Sequence, residues 1–246
     1  MTDVLSHLYP ESRIAGFPRN DHRIVFFSQV NAIVEEDMSV LDFGAGRGKW
    51  AETESGYKLA LTTLRGKCRE IIGSDVDDAV LDNPLVDKGV VVNADGHLPF
   101  DDNYFDMILS WAVFEHIDDA ESVAAELDRI LKPGGWICAV TPAKWSYFAI
   151  AARLVPNRYH AKFMSALVGS KRQEQDVFPT VYKLNTLRAI DRFFPPSRFE
   201  NFSYYHNGPP SYHGNRLIFA RLWKLWMWLL PRMFSQQMHI FLRKRD

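Results

Sequence analysis

The sequence has little cysteine. Cys68 and Cys138 lie 70 positions apart and form no CxxC pair. This spacing argues against a disulfide scaffold and a zinc site, so we expect no metal. A chain of 246 residues can bury enough surface to fold without such cross-links. No apolar stretch follows the initial Met-Thr-Asp-Val, so we expect no signal peptide and a cytoplasmic location.

Repeats, low-complexity tracts and membrane-spanning runs are also missing. The apolar segment 217–230 has fourteen residues and contains Arg221 and Lys224. A helix needs about 20 apolar residues to cross a bilayer, so this segment is too short. We therefore expect a globular protein with no transmembrane helix.

Charge is nearly balanced overall but unevenly distributed. The net charge is −1, yet residues 213–246 carry +6 and the rest of the chain carries −7. The basic end also holds Trp223, Trp226 and Trp228, three of the seven tryptophans. Such a segment can meet a membrane, nucleic acid or a protein partner. The body is acidic and no basic stripe alternates with aromatics, so we expect no nucleic acid partner.

Short apolar runs alternate with helix-length segments. Buried strands are predicted at 40–43, 71–74, 90–93, 105–110 and 136–141. Asn20 or Asp21 can cap a helix before the first strand. A helix is also predicted over 119–131, directly before the strand at 136–141. Asp118 is its predicted N-cap, and Pro133-Gly134-Gly135 ends it. This alternation predicts an α/β fold with a doubly wound, mainly parallel sheet.

A turn rich in glycine follows the first strand directly. Gly44, Gly46 and Gly48 can adopt positive φ and let backbone N–H groups approach a ligand. In open α/β sheets, ligands bind beyond the carboxyl ends of strands. The dinucleotide pattern GxGxxG does not fit because Lys49 holds the third glycine position, and the phosphate-loop spacing does not fit either.

Acidic residues follow the next two strands. Asp75 can accept both hydroxyls of a ribose, and Asp95 with Gly96 lies within reach of an adenine amino group. Each aspartate taken alone is more typical of a turn or a helix cap. Together with Asp42 and the glycine turn, they predict a nucleoside site along three successive strand ends.

Four ordered segments carry a family resemblance. VLDFGAGRGKW, IIGSDVDD, NADGHLPFDDNYFDMILSWAVFEHIDD and LDRILKPGGWICAVTP resemble class I S-adenosylmethionine-dependent methyltransferases, especially the ubiquinone/menaquinone methyltransferase group. The resemblance spans about residues 38–142. It implies a Rossmann-like, seven-stranded sheet with the last strand antiparallel, in which 199–206 and 237–244 form the closing pair. The chain departs from the family by placing a tryptophan-rich helix between these two strands.

The resemblance also implies the cofactor, S-adenosylmethionine, and its contacts. The implied contacts are Gly44, Gly46 and Gly48 around the methionine part with Asp42 orienting them, Asp75 on the ribose, Asp95 and Gly96 at the adenine, and Ser110 and Trp111 beside the sulfonium. These residues are expected to form one site at the carboxyl edge of the sheet.

Methyl transfer can proceed largely by positioning the acceptor and excluding water. If the acceptor atom is a hydroxyl oxygen, a base assists, and His116 after the fourth strand is the catalytic candidate. Alternatively, Glu115 and His116 only orient the following helix. We expect a small-molecule or lipid-linked acceptor and favour O-methylation.

One methyltransferase domain is expected over 1–246. Its parts are an N-terminal helical segment (1–37), a cofactor-binding core (38–142), an acceptor cap with an amphipathic helix (143–236) and a closing strand (237–244). The helix within 216–235 can lie in a membrane interface, or it can pack on its own sheet or in a homodimer.

Two other functions remain open at this point. Intact binding motifs also fit a regulatory module that binds the cofactor without catalysis. A nicotinamide-dependent oxidoreductase is disfavoured by Lys49 in the glycine turn.

Overall fold

A computed structural model of the chain describes residues 2–54, 56–93, 97–154 and 179–246. The predicted site residues Asp95 and Gly96 lie outside the described residues, as does segment 155–178 of the predicted cap.

Strands and helices alternate as the sequence pattern predicts. The strands are β1 (Ser39–Phe43), β2 (Glu70–Asp75), β3 (Lys88–Val91), β4 (Phe105–Trp111), β5 (Leu131–Pro142), β6 (Phe199–Asn201), β7 (Tyr204–His206) and β8 (Gln237–Lys244). The α-helices are α1 (Thr2–Leu8), α2 (Ser12–Ala15), α3 (His22–Ile33), α4 (Trp50–Thr53), α5 (Gly56–Thr62), α6 (Ala120–Ile130), α7 (Tyr147–Leu154), α8 (Leu187–Phe193) and α9 (Leu217–Leu229). Among the described residues, 3₁₀-helices cover Asp78–Asp82 and Arg232–Phe234.

The strands form one sheet in the order β3-β2-β1-β4-β5-β8-β6, with β7 paired to β8. β1 is parallel to β2 and β4, β2 is parallel to β3, and β4 is parallel to β5. β8 runs antiparallel to β6. The predicted doubly wound α/β sheet with an antiparallel closing strand is confirmed. The strand order changes direction between β1 and β4, which is where such sheets bind ligands.

The strand predicted over 199–206 forms two short strands instead of one. Between β6 and β7, the Asn201 side chain accepts a hydrogen bond from Ser203 N at 2.9 Å. Phe202 N still donates to Phe241 O at 2.9 Å. This local side-chain bond competes with the strand ladder and divides the segment.

Helix α6 begins one residue later than predicted. Asp119, not Asp118, is its N-cap and accepts from Ser122 N at 3.1 Å. The helix leads directly into β5, and Pro133-Gly134-Gly135 lie within that strand as an irregularity in its register with β4. Gly134 has φ +75°, so it permits the distortion there.

The chain divides into two compact units. One comprises 26–141, 180–204 and 239–246, and the other comprises 1–25, 142–179 and 205–238. The expectation of one domain over the whole chain stays a prediction.

The core of the first of these units lies between α3 and the central strands. Phe26 and Phe27 are fully buried, with ring centroids 5.2 Å apart, and Phe26 lies 5.3 Å from Phe241. Val40 of β1 and Met107 of β4 are equally buried in this cluster. The predicted cap of α3 is confirmed, because the Asp21 side chain accepts hydrogen bonds from the first turn of the helix.

The other unit is organised around Tyr147 at the start of α7. Its ring stacks on Trp223 with centroids 4.4 Å apart. Its hydroxyl donates to Ser211 O at 2.9 Å and accepts from Gln236 Nε2 at 3.0 Å. α7, the loop before α9 and the segment after α9 therefore meet at one side chain.

Candidate cofactor-binding site

The glycine turn is held by backbone bonds to the neighbouring strand. Gly44 N and Ala45 N both donate to Ser74 O of β2, at 2.7 and 3.0 Å. Gly44, Gly46 and Gly48 have φ values of +77°, +51° and +72°. All three predicted glycines therefore occupy the left-handed region, which other residues adopt at an energetic cost.

Asn83 holds the turn from outside. Its Nδ2 donates to Ala45 O at 3.1 Å and to Gly46 O at 3.0 Å, and its Oδ1 accepts from Leu85 N at 2.9 Å. A Cβ placed on Gly48 would lie 2.2 Å from Asn83 Oδ1. Asn83 was not among the predicted site residues, because its only signal in the sequence is an Asn-Pro turn pair after the second strand.

Asp75 at the end of β2 supports the same turn. Its Oδ2 accepts from Gly46 N at 2.8 Å, and its Oδ1 accepts from Asp77 N at 3.0 Å. Each carboxylate oxygen has two acceptor positions, so these bonds leave capacity for ribose hydroxyls. The predicted ribose contact stays a prediction, and the structure adds a role in shaping the turn.

The loop after β4 lies against the turn from the other direction. A Cβ on Gly44 would lie 2.2 Å from Val113 Cγ2 and 3.1 Å from Cγ1. Glycine at 44 is therefore required by both its φ and the close approach of Val113.

Asp42 of β1 lines a cavity of about 160 Å³ beneath the turn. Of the predicted site residues that the structure describes, Asp42, Gly44, Gly48 and Trp111 line this cavity. Burial and, secondarily, the charge of Asp75 raise the pKa of Asp42 to about 7. A carboxylate in this state gains most from a cationic ligand, because a nearby positive charge favours the ionised form.

Ser110 and Trp111 end β4 beside β1. The Trp111 ring lies 5.8 Å from Phe27 in a stacked arrangement and 5.2 Å from Trp50 edge-on. Ser110 is buried and its hydroxyl donates to Phe43 O at 2.9 Å. Trp111 thus forms a wall of the cavity, whereas the Ser110 hydroxyl joins two strands. The predicted position of Ser110 beside a sulfonium stays a prediction.

His116 lies in the loop between β4 and α6. Its Nε2 is 4.0 Å from Glu115 Oε1, and its side chain is partly exposed. Glu115 is buried and accepts from Thr141 Oγ1 at 2.9 Å, while its carbonyl accepts from Val181 N at 2.8 Å. Glu115 thus joins the loop after β4 to Thr141 and Val181, and the catalytic role of His116 stays a prediction.

Arg129 of α6 holds the segment that follows the undescribed residues 94–96. Its guanidinium donates to Leu98 O at 2.9 Å and Phe100 O at 2.8 Å, and it pairs with Glu126 at 2.8 Å. Glu126 also accepts from Leu98 N at 2.9 Å. Arg129 therefore anchors the loop between β3 and β4 on α6.

We expect Arg129→Met to lower the free energy of unfolding by about 2 kcal/mol, because hydrogen bonds to charged groups contribute most. The pKa of Glu126 is lowered from 4.5 to about 2, and the hydrogen bonds that Arg129 donates to it are the largest cause. A lowered carboxylate pKa stabilises the fold above the unfolded value, so this contribution is lost as pH falls from 4.5 towards 2. Urea unfolding of the wild type and of Arg129→Met, each at neutral and at acidic pH, measures this contribution to stability.

Arg198→Met is the matched control for this measurement. Arg198 forms an ion pair with Asp128 at 2.6 Å, but its side chain is exposed. Its replacement should cost about 0 to 1 kcal/mol. Equal losses in the two variants would contradict the anchoring role of Arg129.

The described residues contain no group of three or more His, Cys, Asp or Glu side chains placed to hold a metal ion.

Comparison with known proteins finds a family match for part of the chain. Residues 41–139 match the family model of the methyltransferase domain. The ubiquinone/menaquinone biosynthesis C-methyltransferase of Burkholderia mallei is 29% identical over 143 residues, which are 53% of this chain and 56% of that protein. The same figures hold for the Burkholderia thailandensis protein. The chain thus spans little more than half the length of the curated relatives it matches.

Solved structures share the fold at low identity. A Haloferax volcanii protein solved with the Trm112 methyltransferase activator has a TM-score of 0.56 and 16% identity, over 96% of this chain and 93% of that one. An Archaeoglobus fulgidus S-adenosylmethionine-dependent methyltransferase has a TM-score of 0.52 and 17% identity, over 90% and 94%. The [4+2]-cyclase SpnF has a TM-score of 0.52 and 15% identity, over 89% of this chain and 79% of that one. The fold alone therefore hosts more than one named activity.

The glycine turn with its acidic strand ends, the doubly wound sheet and the domain match agree with one another and disfavour the oxidoreductase alternative. Residues 41–139 thus match the methyltransferase domain family, within a fold that resembles the class I S-adenosylmethionine-dependent methyltransferases.

Proposed function

We propose that this protein transfers a methyl group from S-adenosylmethionine to a small-molecule or lipid-linked acceptor bearing an acidic hydroxyl. The observation that carries the proposal is the cavity beneath a glycine turn with Asp42 in its wall. When bound, the cofactor supplies an electrophilic methyl group on a sulfonium.

The residues at the turn fit a cationic nucleoside. Asp42 has a raised pKa of about 7 because it is buried beside Asp75, and it becomes fully ionised when a positive charge lies nearby. Gly44, Gly46 and Gly48 keep side chains away from the ligand. Asp75 retains acceptor capacity for the ribose, and Asp95 with Gly96 remains our assignment for the adenine.

His116 would remove the proton of the acceptor hydroxyl at its Nε2 and release it to solvent. Loss of this proton prepares the acceptor for methylation at either of two atoms. A deprotonated phenol or enol is nucleophilic at its oxygen and at the carbon next to the one that bears the oxygen. The sequence favours oxygen, whereas the Burkholderia relatives are named C-methyltransferases. The proposal therefore specifies the acidic hydroxyl as the common feature of the acceptor. Glu115, anchored to Thr141, would position the loop.

Calorimetric titration with S-adenosylmethionine at pH 6 and pH 8 tests the cofactor site. With a pKa of about 7, Asp42 is roughly tenfold more ionised at the higher pH, so affinity should rise about tenfold. Asp42→Asn should bind weakly with a flatter pH dependence. At each pH the ionisation of the cofactor is the same for the wild type and for Asp42→Asn, so the ratio of their affinities reports on residue 42. Absence of binding by the wild type would refute the proposal.

Transfer itself is tested with cofactor labelled in its methyl group. Phenolic, naphtholic and enolic acceptors, free and isoprenyl-linked, are incubated with the protein, and products are sought by mass spectrometry. We expect one labelled methyl group per product. Cofactor binding without transfer to any of these acceptors, or to any component of a cell extract, would favour the regulatory module.

A further inference from the structure

Helix α9 exposes most of its surface. Of its thirteen residues, only Ala220 is buried. Ile218, Leu222, Leu225 and Leu229 are exposed at 66%, 51%, 47% and 61%. These four side chains therefore form an exposed aliphatic surface on α9.

The exposed half of α9 is divided lengthwise into two strips. At 100° per residue, the four exposed aliphatic side chains fall within an arc of about 60°. Arg221, Lys224 and Trp228 occupy the adjacent arc of about 60°. Trp228 is 79% exposed, although large apolar side chains seldom are. We call these the aliphatic strip and the basic strip.

The opposite side of α9 is anchored, which fixes the direction of both strips. Trp223 stacks on Tyr147, and the Trp226 ring lies 6.3 Å from Phe234. At the edge of the basic strip, Lys224 is also held, because its Nζ lies 4.7 Å from the centroid of the Tyr9 ring. The helix therefore cannot rotate to bury the aliphatic strip without losing these contacts.

The charges that α9 and its neighbours in sequence carry are of one sign. Arg216, Arg221, Lys224 and Arg232 are exposed, and the sequence contains no acidic residue between Glu200 and Asp246. A second copy packed through this face would bring like charges together, which is unfavourable. An anionic surface would complement the face instead.

We propose that α9 binds the surface of an anionic lipid membrane. The helix would lie in the plane of the interface, with the aliphatic strip among the acyl chains. The basic strip would then lie at the lipid headgroups, and Trp228 would lie at the boundary between the headgroups and the acyl chains. Interfacial amphipathic helices bind membranes in this way. None of the described helices is long and apolar enough to cross a membrane. This inference does not depend on the identity of the methyl acceptor.

Co-sedimentation of the full chain with vesicles tests the proposal. We expect binding to vesicles of phosphatidylcholine with 30% phosphatidylglycerol, and at least tenfold weaker binding to phosphatidylcholine alone or in 0.5 M salt. Leu222→Gln/Leu229→Gln should weaken binding at least tenfold, and single Leu229→Gln by a smaller factor. Arg221→Gln should weaken it about fivefold.

Two matched controls separate this face from general surface effects. Ile14→Gln removes an aliphatic side chain that is 87% exposed on α2, and Lys88→Gln removes an exposed charge on β3. Both should bind vesicles within twofold of wild type. Circular dichroism verifies that each variant is folded, and sedimentation velocity gives its oligomeric state.

The proposal fails if wild-type protein does not bind anionic vesicles, or if the leucine variants bind as tightly as wild type. A dimer that the leucine variants dissociate, without vesicle binding, would instead assign the face to a second copy. Cofactor affinity is measured on the same proteins. Because the strips contain no residue of the glycine turn, we expect the cofactor affinity of the variants to be unchanged. Loss of vesicle binding is then distinguishable from failure of the cofactor site.

Discussion

Gly44→Ala is expected to weaken cofactor binding at least a hundredfold. The residue has φ +77°, where a Cβ costs about 1 to 2 kcal/mol. The new Cβ would also lie 2.2 Å from Val113 Cγ2, so either the glycine turn or the loop after β4 must move. Because the turn lines the cavity, such a movement displaces the proposed contacts. Calorimetry with S-adenosylmethionine measures the loss.

Two further variants separate backbone strain from the collision. Gly66→Ala has the same strain, since Gly66 has φ +81°, but a Cβ there meets nothing within 4 Å. It should lower stability modestly and leave cofactor affinity within twofold. Gly44→Ala/Val113→Ala removes both γ-carbons and leaves the Cβ contact at 3.2 Å, so affinity should partly return. If the double variant binds no better than Gly44→Ala, the collision is not the cause.

His116→Gln is expected to lower kcat about a hundredfold, which is typical for loss of a general base. The affinity for the cofactor should stay within twofold, because His116 is not among the residues that line the cavity. The KM for the acceptor should also stay close to the wild-type value, because a general base acts on the bound acceptor. Steady-state rates with the acceptor found by labelling provide the measurement.

A control histidine and a second observable keep this result specific. His7→Gln makes the same chemical change at an exposed position in α1 and should leave kcat unaltered. If His116 only positions the loop, His116→Gln would raise the KM for the acceptor along with the fall in kcat. A kcat within twofold of wild type would remove His116 from the mechanism.

Local patterns were sufficient for most of the sheet and for the glycine turn. Strand β1, the turn after it and helix α6 each depend on residues within about ten positions of one another. Apolar spacing and capping residues therefore predict them within one or two residues. Asp42, Gly44 and Gly48 could be located for the same reason, since a ligand site follows the end of a buried strand.

Contacts between distant segments escaped prediction. Asn83 bonds to Ala45 across 38 positions, and Arg129 reaches Leu98 across 31. Val113 approaches Gly44 only because β1 and β4 are neighbours in the sheet. No local pattern encodes such distances, because they depend on how strands are ordered.

The surface of α9 shows the same division between sequence and structure. The helical spacing of Arg221, Lys224 and Trp228 is determined by the sequence, as is the end of the helix before Pro231. Which arc is covered is a tertiary property, because it depends on where Tyr147 and Tyr9 lie. The sequence by itself determined the class of fold, the order of the motifs and the amphipathic helix, since each is a local pattern. Only the tertiary structure decided how the turn is held, where the Ser110 hydroxyl points and that the leucines of α9 remain exposed.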